Sequence, residues 1–210
     1  MSELNKKAHW ETIYQTKALT DVSWYEQKPT TSLDFIDKLG VSKTAKIIDV
    51  GGGDSFLVDH LLNLGYTNLT VLDISGAALQ RAKDRLGERA EMVNWIEANA
   101  VDFTSESTFD LWHDRAAFHF LTEPEEIERY IQTLTKSISP DGKVVIGTFS
   151  EDGPKKCSGI EIQQYSKASL GAKLLPHFEN IECLTLDHST PFGTTQNFVF
   201  CSFRKVTVLD

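Results

Sequence analysis

From Ala45 to Ser150 the chain repeats one order: a short apolar run, then a segment with helical spacing. "AKIIDV" (Ala45–Val50), "NLTVLDIS" (Asn68–Ser75), "EMVNWIEAN" (Glu91–Asn99), "FDLWHDRAAF" (Phe109–Phe118) and "KVVIGTFS" (Lys143–Ser150) read as strands. Runs as continuously apolar as the first suit strands covered on both faces. Among the intervening segments, "DSFLVDHLLNLG" has Asp54 placed to cap a helix and Gly65 to end it, and "GAALQRAKDRLG" closes at Gly87. "EPEEIERYIQTLTKSISPDG" is a longer helix ending in a Pro-Asp-Gly turn. Strands alternating with helices require right-handed crossovers, so the expected fold is α/β, a doubly wound parallel sheet with helices on both faces. The tail differs: "IECLTLDHST" and "TTQNFVFCSFRK" flank Pro191 and Gly193 and read as a hairpin. Ahead of the sheet, helical pieces at Leu4–Leu19 and Thr31–Leu39 flank the loop "TDVSWYEQKP". No repeat or linker interrupts this order. One domain over 1–210 is expected, with an N-terminal helical lid segment (1–42), a cofactor-binding core (43–150), and a substrate loop with the C-terminal hairpin (151–210).

Charge and composition narrow the partners. The net charge is −9, from 21 basic against 30 acidic residues, and such a field repels phosphate backbones. No apolar run approaches the ~20 residues that span a bilayer, so no membrane is expected. The N-terminus lacks the apolar core of a signal peptide. Cys157, Cys183 and Cys201 are odd in number, without metal-ligand spacing, and read as reduced thiols of a cytoplasmic monomer or small homo-oligomer. No metal site is expected.

The chemistry concentrates after the first strand, in "IIDVGGGDSF" (Ile47–Phe56). In a doubly wound sheet, ligands bind beyond the carboxyl ends of the strands. Gly51, Gly52 and Gly53 strip the backbone at that point, so a ligand can approach closely. Two ligands compete. A nicotinamide dinucleotide needs Gly-x-Gly-x-x-Gly, but the third position is Phe56, and Asp54 would face a phosphate. S-adenosyl-L-methionine carries no phosphate and two cationic groups, and fits better. Asp73, about twenty residues on, is placed to take both ribose hydroxyls, with Ile74 against the adenine. Asn99 could accept from the adenine amino group beside the Ala100 backbone. The plainer reading makes Asp73 a helix cap and Asn99 a turn former.

With these residues in order, the chain resembles the class I S-adenosylmethionine-dependent methyltransferases. "IIDVGGGDS", "VLDIS", "EANA", "FDLWHDR" and the hairpin follow the family's order. The resemblance implies a Rossmann-like seven-stranded sheet, parallel except for its last strand, with Asp49 and Ser55 joining the cofactor set. Ser55 replaces the commoner third glycine. A narrower similarity is to lysine methyltransferases of elongation factor 1A and citrate synthase, through "HWETIYQTK", "VSWYEQ" and "HDRAAF". Asp114 matches their aspartate after the fourth strand, while Arg115 replaces a lysine and Ala116–Ala117 replace Gly-Thr. A small-molecule acceptor is therefore expected, with a protein lysine as the alternative; a nicotinamide-dependent oxidoreductase and an S-adenosylmethionine-binding protein without catalysis are the rival classes.

Methyl transfer is an in-line displacement governed by proximity and orientation. His113 would offer its backbone carbonyl to the cofactor ammonium. Asp114 would hold or deprotonate an acceptor and Arg115 would pair with an acceptor carboxylate; otherwise the two form a salt bridge. Trp10, Tyr14 and Trp24 are expected as an aromatic lid favouring the sulfonium. His119 reads as packing. Cys157 lies in the polar segment after the fifth strand, which would frame the acceptor.

Overall fold

A computed structural model describes residues 3–175 and 177–206. The outermost positions of the expected domain, 1–2 and 207–210, lie outside the described residues, as does 176.

Seven strands form the main sheet: β1 (Lys46–Val50), β2 (Asn68–Asp73), β3 (Val93–Glu97), β4 (Phe109–Arg115), β5 (Ile138–Phe149), β8 (Phe178–Ser189) and β9 (Thr195–Lys205). Their order is β3-β2-β1-β4-β5-β9-β8. Strands β1 to β5 pair in parallel, and β9 runs antiparallel to both β5 and β8. The sheet is therefore Rossmann-like and parallel except for the last strand. A two-residue ribbon, β6 (Lys156–Cys157) with β7 (Ile160–Glu161), lies in the segment after β5.

The helices are α1 (Glu3–Thr16), α2 (Thr30–Lys38), α3 (Leu57–Asn63), α4 (Gly76–Leu86), α5 (Pro124–Ser137) and α6 (Lys167–Leu174). They explain why the central strands are largely apolar on both faces, up to the polar residues at their carboxyl ends. On one face Ile48, Val50 and Trp112 pack with Ile131 and Leu134 of α5 and Leu170 of α6. On the other, Ile47, Leu111 and Val145 pack with Phe35 of α2, Leu61 of α3 and Leu79 of α4. Successive side chains alternate between faces, and both faces are covered, so both favour apolar residues. The winding reverses between β1 and β4, which opens a crevice at their carboxyl ends.

Three expectations are corrected. Asp54 does not cap α3, which begins at Leu57 after Phe56 with no side-chain cap; Asp54 instead is buried with Arg81 Nη2 3.1 Å from its Oδ2. The fifth strand starts at Ile138, directly after α5: Ile138 pairs with Phe109, and the register then shifts so that Lys143 meets Leu111, absorbing Pro-Asp-Gly inside the strand. Cys183 and Cys201 are not reduced thiols; they lie directly opposite in the β8–β9 register and are joined by a disulfide. Cys157 is the free, buried cysteine.

Candidate active site

A cavity lies at the carboxyl ends of β1, β2 and β4, covered by α1 and the loop that follows it. Its floor is the glycine turn. Gly51 and Gly53 take positive φ, 65° and 51°, where side chains are strained. A β-carbon on Gly51 would overlap that of Ala117, and one on Gly53 would lie 2.7 Å from the Tyr14 hydroxyl. One on Gly52 would lie 2.7 Å from Asp49 Oδ2. Arg85 secures the turn from below, donating to the carbonyls of Asp54 and Ser55 at 2.7 Å each.

The same elements hold α1 in place. Arg81, paired with Asp54, also donates to the carbonyls of Tyr14 and Lys17 at 3.1 Å, the free acceptors at the end of α1. Glu11 accepts from the backbone amides of Gly76 and Ala77, at 2.7 and 3.2 Å, at the start of α4. Four rings follow from this docking. Trp10 is 5.0 Å from Phe120, 5.8 Å from Trp24 and 6.3 Å from Tyr14 between centroids, and all four line the cavity.

Four carboxylates line the cavity, Asp49, Asp54 and Asp73 around the glycine turn and Glu26 beside Arg115, and give it an acidic field. Burial pushes Asp73 up to about 7, against the opposing hydrogen bonds from the Ser75 and Gly53 amides; the charges of Asp54 and Asp49 push it the same way as burial. Its Oδ1 accepts from Ser75 N at 2.8 Å. Burial also raises Asp54, with Arg81 and Arg85 pulling it back. Asp49 is fixed differently. Its Oδ1 is 2.7 Å from His113 Nδ1, and His113 Nε2 is 2.8 Å from the Ser32 hydroxyl on α2. A carboxylate only accepts, so in the neutral ring Nδ1 carries the proton and Ser32 donates to Nε2. Ser32 is 1% exposed, so this acid–imidazole–hydroxyl chain orients Asp49 and does not present a nucleophile.

The structure brings most of the expected residues onto this wall. Trp10, Tyr14 and Trp24 line it from above; Asp49, Gly51, Gly52, Ser55 and His113 line the centre; Asp73, Ile74, Asn99 and Ala100 line the β2–β3 side. Asn99 Oδ1 also accepts from Val101 N at 3.3 Å, which is the turn-forming role. Gly53 is not on the wall, because the Tyr14 hydroxyl covers it.

Asp114 requires a correction. It is fully buried and turned away from the cavity. Its Oδ1 accepts from the amides of Ala117 and Phe118 at 3.0 and 3.1 Å, and its Oδ2 accepts from the Tyr130 hydroxyl at 2.6 Å. Alternation along β4 sends His113 and Arg115 to the cavity and Asp114 to α5. It holds the "RAAF" turn, where Ala116 takes φ 67°. Nor does Asp114 pair with Arg115. The Arg115 guanidinium donates to Trp24 O at 2.9 Å, faces Glu26 Oε2 at 3.2 Å and lies over Phe198. Glu26, Phe120, Ser32 and His188 complete the surroundings without having been expected from sequence. His119 is fully buried against Phe149 and held neutral, pushed down to about 3 by burial and by Arg115. Cys157 lines the cavity, and burial raises its thiol to about 11, so it stays protonated. Among the described residues no group of His, Cys, Asp or Glu could hold a metal ion.

A parallel sheet closed by one antiparallel strand, with a glycine turn at the winding reversal, is the arrangement of the class I S-adenosylmethionine-dependent methyltransferases, and the chain carries a methyltransferase domain. Residues 47–142 match the family described as "Methyltransferase domain". The chain is 28% identical over 162 residues to EEF1A lysine methyltransferase 2 of Danio rerio, covering 69% of each. It is 23% identical over 134 residues to malonyl-[acyl-carrier protein] O-methyltransferase 2 of Ilyobacter polytropus, covering 61% of this chain and 50% of that one. It thus spans half to about two thirds of these relatives. The crystal structure of N-methyltransferase NodS from Bradyrhizobium japonicum WM9 with S-adenosyl-l-homocysteine superposes with a TM-score of 0.71 at 15% identity, covering 94% of this chain and 98% of that one. With this domain the chain is a methyltransferase, and S-adenosyl-L-methionine is its cofactor.

Proposed function

We propose that the enzyme methylates a small-molecule acceptor by in-line displacement from S-adenosyl-L-methionine. The observation that carries this reading is the enclosure of the β4 end: Arg115 and Glu26 line the cavity together with Trp24 and Phe120, beneath α1, which is tied down at Lys6 by Glu126 and at Glu11 and Tyr14 by α4. In this reading Asp73 takes the ribose hydroxyls, Ile74 covers the adenine, and Asn99 with Ala100 reads its edge. Asp49, oriented by His113, receives the ammonium, as does the His113 carbonyl. Trp10, Tyr14 and Trp24 exclude water and face the sulfonium. The chain then contributes mainly alignment of donor and acceptor, without a required general base. Segment 1–42 would act as the lid, 43–150 as the cofactor core and 151–210 as the acceptor side. The relative from Danio rerio, named for a protein lysine, supports a lysine acceptor as the second reading.

The net charge of −9 supports a partner other than nucleic acid. No helix among the described residues is long and apolar enough to cross a membrane. A cytoplasmic setting belongs to the proposal, and the Cys183–Cys201 bond, of a kind rare in the cytosol, weighs against it; thiol titration of the protein as isolated from cytosol decides that point. Calorimetry with S-adenosyl-L-methionine, S-adenosylhomocysteine and NADH tests the cofactor side. Binding of NADH alone would sink the proposal.

A further inference from the structure

We infer that the acceptor is an amine, and that Glu26 is the specificity-determining carboxylate that receives its N–H. The inference rests on the methyl-transfer reading above and adds the class of acceptor.

Position comes first. Asp73 ends β2 and Asn99 follows β3, both on one side of β1, so the nucleoside lies there and the acceptor end falls on the opposite side, over β4 and β5. Glu26 lies at that end. Its Oε2 is 3.2 Å from Arg115 Nη2 at the end of β4, and its Oε1 is 3.2 Å from Nδ1 of His188 on β8. His188 Nε2 in turn lies 2.8 Å from the Ser23 carbonyl, an acceptor, so Glu26 is gripped from both sides and its side chain is aimed by the fold.

Charge follows. Burial works to raise Glu26, but the His188 hydrogen bond and the charges of Arg115 and His188 outweigh it and lower the group, so it stays ionised at neutral pH. The two cations lining the cavity are already matched: Arg115 by Glu26, and Lys6 by Glu126 at 2.6 Å. Neither Arg115 nor Glu26 is bare, but they differ in what they have left. The Arg115 guanidinium is engaged by Glu26 and the Trp24 carbonyl, whereas each Glu26 oxygen, though paired with Arg115 or His188, keeps a second lone pair that an amine N–H can use, in a cavity that Trp24 and Phe120 also line. Amine N–H donation to Glu26 leaves the nitrogen lone pair free to point at the methyl group.

The step balances without another reactant. The acceptor ammonium first loses a proton to water. Its nitrogen lone pair then forms the bond to the methyl carbon while the carbon–sulfur bond breaks, its pair going to sulfur. The sulfonium charge leaves on the product as an N-methylammonium.

Three probes that share one ring test this: benzylamine, benzyl alcohol and benzoate, titrated by ligand-observed NMR into the full chain saturated with S-adenosylhomocysteine. Calorimetric binding of S-adenosylhomocysteine is measured first, and its failure would count against the methyl-transfer reading, not against the choice of acceptor. Benzylamine should bind at least about tenfold more tightly than the other two. Glu26→Gln should erase that preference, and Glu26→Asp, which keeps the charge on a shorter arm, should keep part of it; melting curves confirm that each variant is folded. Absent benzylamine binding, or benzoate or benzyl alcohol binding as tightly, overturns the inference. So does a preference that survives Glu26→Gln.

Discussion

Tyr130→Phe removes one oxygen from beneath the site while leaving the ring's packing intact. That hydroxyl donates to Asp114 Oδ2 at 2.6 Å and accepts from Trp112 Nε1 at 2.9 Å. None of the three residues is more than 1% exposed, so no water replaces the lost partner. A buried indole N–H left unpaired costs about 1–3 kcal/mol, and a hydrogen bond to a charged group is worth about 1.5–3 kcal/mol, so about 2.5–6 kcal/mol is at stake. For a chain of this size each kcal/mol moves Tm by about 2–4 °C, so Tm should fall by about 5–24 °C near neutral pH. The loss should also depend on pH. Burial raises Asp114 to about 6, and the Tyr130 hydrogen bond, with those from Ala117 and Phe118, opposes it. A folded value above the unfolded one favours the acid form on folding. The stability linked to Asp114 is therefore full below about pH 4 and is lost as pH rises through the folded value. Without Tyr130 that value climbs further, so the loss continues where the wild type has levelled off. Melting curves at about pH 5 and about pH 7.5 should show the larger gap at the higher pH. Equal gaps, or a gap under about 1 kcal/mol at the higher pH, would refute an ionised Asp114 held by Tyr130. Unchanged melting with lost turnover would return Asp114 to the acceptor.

Other substitutions separate the parts of the site. Asp73→Ala should weaken S-adenosylhomocysteine binding by about 1–3 kcal/mol, read by calorimetry on folded protein, since ribose hydroxyls would lose their acceptor; unchanged affinity removes Asp73 from the site. Gly53→Val places a β-carbon 2.7 Å from the Tyr14 hydroxyl at a φ of 51°, and should abolish binding with a native circular dichroism spectrum. Retained binding would confine the glycine to the turn. Glu11→Ala exposes the Gly76 and Ala77 amides, and should speed proteolysis within α1 while costing about 0.5–2 kcal/mol overall. Unchanged cleavage would show that the lid does not depend on this cap.

What was readable in the sequence was whatever is written locally. β1, β2 and α4 announce themselves by apolar runs and helical spacing, and the structure returns them nearly residue for residue, although the cap of α4 is Ser75 and not Asp73. Asp54 misled because a helix-cap residue type stood in the expected place, while Arg81, from α4, took its carboxylate inward. Asp114 was legible in principle: counting alternation from His113 along β4 turns it toward α5, whose Tyr130 lies on the buried stripe. Glu26 was not. Its partners Arg115 and His188 sit on β4 and β8, and only the folded sheet brings them together. The disulfide likewise depends on hairpin register, which places Cys183 opposite Cys201 but is not stated by spacing alone.

The position of β9 has a consequence for how the chain assembles. It follows every other strand in the sequence, yet it lies inside the sheet, between β5 and β8. During synthesis β5 therefore keeps a bare edge of Val144, Val145 and Ile146 until residues beyond Thr195 exist. β8 cannot shield that edge, because its ladder is with β9 alone. The economical route is for β8 and β9 to zip locally and then slot in as a preformed pair, which the Cys183–Cys201 bond would lock before docking. A stop at Thr195 is accordingly not the trimming of a tail but the extraction of an inner stave. Such a chain should associate through the orphaned β5 edge, and a monodisperse, soluble product in sedimentation would contradict that.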